Sequence, residues 1–78
     1  MLAVMNIKPF EKVDEALEYL DRFAGQPEDL ELPISDLLLD PVGVNMAIIG
    51  DELLSKGFWP NGFVQIQGFR IYRYKQEE

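Results

Sequence analysis

The residues with the most chemical promise stand near the C-terminus, where Phe69, Tyr72 and Tyr74 are interleaved with Arg70, Arg73 and Lys75. Aromatic rings stack on bases while guanidinium and ammonium groups meet phosphates, so this mixture suits nucleic acid. Arg70, Tyr72, Arg73, Tyr74 and Lys75 are the candidate contacts of that reading. Charge opposes it. The chain carries a net charge of −7, which repels phosphates and anionic bilayers and favours a basic partner. The acidity is uneven: residues 1–40 hold ten acids against three bases, and residues 41–78 hold four of each.

Other groupings offer less. Glu11, Glu15 and Glu18 share a helix-spaced face, but a calcium or magnesium ion needs several converging oxygens, and carboxylates on a solvated face do not converge. Tyr72 with Arg70, and Ser55 with Lys56, are neighbours in sequence without an orienting group or an oxyanion site, so neither pair defines a nucleophile. Gly57, Gly62 and Gly68 lie among turns and strands, and no Gly-Lys-Ser or Gly-Lys-Thr follows them, so no phosphate-binding loop is present. Cysteine and histidine are absent, which removes thiol catalysis, disulfides, thiolate metal sites and the commonest general base. Neither catalytic residues, nor a metal, nor a cofactor are expected.

The elements that would position these residues follow from periodicity. Phe10, Val13, Leu17, Leu20 and Ala24 fall within an arc of about 80° at 100° per residue, predicting an amphipathic helix that starts near Pro9 and stops at Gly25. Gln26 to Pro33, with two prolines and three acids, reads as an exposed linker. Ser35 is placed to cap a brief turn through Leu39, and Leu37-Leu38-Leu39 to plug the core. Asp40-Pro41 predicts a second helix running to Lys56 and stopping at Gly57, with Val42, Met46, Ile49 and Leu53 as its central stripe. Beside that stripe runs a file of small residues, Gly43, Ala47 and Gly50, suited to the close approach of another element.

Pro60 is expected to end regular structure, with Asn61-Gly62 as a turn pair. Beyond it, either Gln67-Gly68 turns a hairpin between Val64–Ile66 and Phe69–Tyr74, or Gly68 bulges one long strand; the hairpin is favoured. Met1 to Ile7 is an uncharged apolar run that can add a strand, and Lys75 to Glu78 should fray. The expected fold is α+β: a single small domain with two principal helices on a small antiparallel sheet dominated by the C-terminal hairpin.

No apolar run approaches the roughly 18 to 20 residues of a membrane-spanning helix, and no basic segment precedes the N-terminal apolar residues. A soluble, cytoplasmic chain without membrane insertion is expected. With Val42, Met46, Ile49 and Leu53 turned inward, Val44 and Ile48 fall on the far side of the second helix with Asp51 and Ser55. Val44, Ile48 and the adjacent Phe58-Trp59 are therefore the candidate protein interface. The function the sequence favours is a non-catalytic interaction or accessory module, binding a protein partner or a second copy. The alternative is a winged-helix-like nucleic-acid-binding or regulatory protein that uses the hairpin.

Overall fold

The computed structural model describes residues 8–22 and 29–76. Its elements are α1 (Val13–Arg22), β1 (Asp29–Ser35), α2 (Val44–Ser55), β2 (Phe58–Ile66) and β3 (Phe69–Gln76). The three strands form an antiparallel sheet in the order β1-β3-β2, and the helices cover one of its faces. This is the expected α+β fold with its C-terminal hairpin. The strand expected at Met1 to Ile7, together with Phe23, Ala24, Gly25 and the start of the expected linker, lies outside the described residues.

The main correction concerns that linker. Asp29 to Ser35 is a strand, and its Leu30, Leu32 and Ile34 are buried at the centre of the core. Leu30 lies opposite Tyr74, Leu32 opposite Tyr72 and Ile34 opposite Arg70. Acids and proline do not exclude a strand when they occupy alternate positions, because successive side chains point to opposite faces. The Phe10 N–H donates to the Pro33 carbonyl at 2.8 Å, and the Ser35 N–H donates to the Phe10 carbonyl at 2.9 Å. The backbone groups of Pro33 thus face the outer edge of β1, where a missing N–H breaks no bond to β3.

Phe10 consequently belongs to a short parallel bridge with Ile34 and not to the helix. The helix starts at Val13 and turns Ala16 and Leu20 fully inward, with Val13 and Tyr19 packed beside them, while Leu17 is only half-buried.

The second helix starts later than Pro41. The Asp40 carboxylate does cap it, accepting the Val44 N–H and the Asn45 N–H at 2.9 Å each, but Pro41 and Val42 form a turn and Gly43 takes the left-handed N-cap position at φ 80°. Those two hydrogen bonds, Asn45 first and Val44 second, hold the Asp40 carboxyl below its ordinary pKa of 3.8. Val42 is therefore exposed and outside the stripe; Ile49 and Leu53 are buried and Met46 packs partly against them. Nor do the described residues bring another element to Gly43, Ala47 and Gly50: Ala47 is exposed, and apart from the local backbone none of their atoms lies within 4 Å of where a Cβ would stand on Gly43 or Gly50. Of Leu37 to Leu39, Leu38 is fully inside the core, Leu39 packs partly against it and Leu37 is exposed, after a turn in which the Ser35 hydroxyl accepts the Leu37 N–H at 3.1 Å.

Pro60 does not end the strand, and Asn61-Gly62 is a bulge. β2 pairs with β3 on both sides of it, Pro60 opposite Tyr74 and Phe63 opposite Tyr72, so two residues of β2 face one of β3. Gly62 supplies the positive φ of 86° that such a bulge takes from glycine. Gln67-Gly68 then makes the two-residue connection, with Ile66 opposite Phe69. Lys75 and Gln76 do not fray; they close the ladder opposite Trp59 and Phe58.

Candidate functional site

The bulge decides what the sheet presents. Pairing across the strands places Leu30, Leu32, Ile34, Tyr72, Tyr74, Phe58 and Phe63 on the helix-covered face. The opposite face receives Trp59, Val64 and Ile66 from β2, Phe69, Ile71, Arg73 and Lys75 from β3, and Asp29, Glu31 and Pro33 from β1. Without the extra residue at Asn61-Gly62, Val64 and Ile66 would point to the helices and Phe63 away from them, since a one-residue slip inverts every side chain of a strand.

No described helix lies over this second face. An antiparallel sheet with one side in water is ordinarily polar on that side. Here the half nearest the hairpin turn is apolar: Pro33, Ile71 and Val64 form one row across the three strands, and Phe69 with Ile66 the next. Trp59 is 49% exposed, Val64 37% and Ile66 38%, while Phe69, Ile71 and Pro33 are half-buried by their neighbours. The other half is charged. Glu31 meets Arg73 at 3.5 Å, and Asp29, Lys75 and Asn61 join them around a shallow groove. Exposed apolar patches with a polar rim mark contact surfaces for proteins, membranes or ligands.

The sequence-derived interface residues do not gather in one place. Val44 and Ile48 lie on the outer side of α2 and are 52% and 43% exposed. Phe58 is buried beneath the helices, and Trp59, one residue on, reaches the opposite face of the sheet.

Strand alternation likewise divides the aromatic-basic segment. Arg73 and Lys75 are on the open face, whereas Arg70, Tyr72 and Tyr74 are on the helix-covered one. Tyr74 is buried, and burial, reinforced by the Tyr72 hydroxyl, pushes its pKa up to about 12. The Arg70 guanidinium is held at three points: its Nε donates to Gln65 Oε1 at 2.8 Å, its Nη1 donates to the Tyr72 hydroxyl at 2.8 Å, and its centre stands 4.5 Å above the Phe63 ring. Gln65 is anchored in turn, donating to the carbonyls of Ile66 at 2.8 Å and Phe69 at 3.0 Å. This arrangement braces the hairpin next to its turn.

Among the described residues no three acids gather as a metal site, and no helix is long and apolar enough to cross a membrane. Pro33, Val64, Ile66, Phe69 and Ile71 are the surface residues that sequence reasoning missed. Their signal was the side-by-side apolar pairs of the hairpin, which leave both faces of a strand apolar once the bulge is known. The class defined is a two-layer α+β arrangement with one half-apolar sheet face over which the described residues place no helix. No protein-family model matches the chain, and neither the curated proteins nor the solved structures yield a match.

Proposed function

We propose that this chain is a non-catalytic accessory module that acts by binding protein through the open face of its sheet. The observation that carries the reading is the row Pro33–Ile71–Val64 with Phe69 and Ile66 behind it, an apolar plate over which the described residues lay no second layer. A sheet buries an apolar face against another element wherever it can, because exposed apolar area costs roughly 25 cal/mol per Å². Val44 and Ile48 form a second exposed apolar pair on α2, beside Asp51, and Val42, Ala47 and Leu54 on or next to that helix are exposed as well.

Site-specific photo-crosslinking tests the reading. Benzoylphenylalanine introduced at Ile66 is expected to give a discrete protein adduct in cells producing the chain, and the same group at Ile48 a weaker one or none. An adduct at Ile48 with none at Ile66 would transfer the function to the helix, and none at either position would remove the proposal.

A further inference from the structure

We infer that the partner on the open face is a second copy of the chain, so that two sheets pack face to face with the helices outermost. The inference rests on the open-face reading above and names its occupant. Charge is the first argument. The open face carries Asp29 and Glu31 against Arg73 and Lys75, with Glu31 and Arg73 already 3.5 Å apart, so it is neutral in a chain of net charge −7. The helix side is not neutral: on or beside α1 the exposed acids Glu11, Asp14, Glu15, Glu18 and Asp21 outnumber the exposed bases Lys8, Lys12 and Arg22. Two copies meeting through α1 bring acid to acid, whereas two meeting through their sheets bring together the surfaces with least mutual repulsion. A strongly charged partner of either sign gains nothing on a balanced face.

The sheet edges supply the second argument, because they disfavour the competing way for two sheets to join. Pro33 turns its nitrogen to the outer edge of β1. Pro60 faces Tyr74, whose backbone groups bond to β1, so its nitrogen also points outward, from β2, beside the Asn61-Gly62 bulge. An incoming strand finds Phe10 already bonded along the β1 edge at Pro33 and a missing donor at Pro60 on the β2 edge, and prolines and bulges are devices that block edge-to-edge pairing. Association is thereby directed to the face.

Area sets the expected strength. Three strands about 4.8 Å apart and about 25 Å long make a plate of roughly 14 by 25 Å, short of the ~800 Å² per partner of ordinary stable complexes. A reversible dimer with a dissociation constant of about 1 to 100 µM is expected, as fits a small interface.

Light scattering after size-exclusion chromatography, from about 10 µM to about 1 mM protein, should show the mass rising toward twice that of one chain. Over the same series, amide NMR signals of Val64, Ile66, Phe69 and Ile71 should shift while those of Val44 and Ile48 stay still. Val64→Lys with Ile66→Lys should leave a folded monomer by circular dichroism; if that variant fails to fold, the wild-type dilution shifts decide alone. Val44→Asp with Ile48→Asp should still dimerise. A wild type monomeric at about 1 mM overturns the inference, and so does a dimer broken by the α2 pair and not by the sheet pair. Self-association fails alone if the monomer still gives a heterologous adduct at Ile66; if no adduct forms there either, the open-face reading fails with it.

Discussion

At the scale of single residues, the side chain a position lacks can be as informative as the one it has. Gly50 stands within α2 with open space where a Cβ would project, and its backbone is not in the left-handed region. Glycine in a helix interior costs about 0.8–1 kcal/mol relative to alanine, through the freedom the unfolded chain loses. Gly50→Ala is therefore expected to raise the unfolding free energy by about that amount in urea denaturation. A loss of stability would mean that another element occupies the space beside Gly50 in solution, as the file Gly43, Ala47, Gly50 suggests when read as sequence. Gly62 and Gly68 differ from it: both have φ of 86°, so a substitution there is strained whatever the space around it.

At the scale of elements, β1 shows what sequence patterning conveys and where it misleads. Leu30, Leu32 and Ile34 alternate with Asp29, Glu31 and Pro33, a period of two, yet the local density of acid and proline reads as linker. Only tertiary pairing reveals that the polar members face the open side and that proline's missing donor falls on an edge. Leu32→Ala should accordingly cost about 2 to 5 kcal/mol in chemical denaturation, a cavity cost as for any fully buried leucine. Leu17→Ala, at a half-buried position of α1, should cost about 1 kcal/mol, since only part of its area leaves water on folding. Equal losses at the two positions would contradict this division of the core. The hairpin and the two helices were legible because β-branched and aromatic runs and a 3.6-residue period are local signals. The open face was not, since Asn61-Gly62 has the composition of a turn and its action as a bulge depends on β3 lying alongside to hold the register.

At the scale of the whole molecule, one helical layer on one sheet leaves a slab of 35 × 35 × 22 Å, and the distribution of charge over it bears on the partners it accepts. The aromatic-basic segment, continuous in sequence, is not continuous in space. Arg70 is committed to Gln65, Tyr72 and Phe63, Tyr74 is buried, and the two remaining cations share the open face with Asp29 and Glu31. Nucleic acid is held by cations that release counterions from several phosphates at once, and a face on which two bases are balanced by two acids releases few. Fluorescence anisotropy with unrelated DNA and RNA probes at about 50 mM salt, where phosphate contacts are least screened, is therefore expected to show no saturable binding at high micromolar protein. The opposite outcome would be specific: an isotherm that weakens steeply with added salt and is lost in Arg73→Gln with Lys75→Gln. It would mean that Arg73 leaves Glu31 and joins Lys75 in engaging phosphate, and that the open face is a basic surface in use despite being neutral at rest.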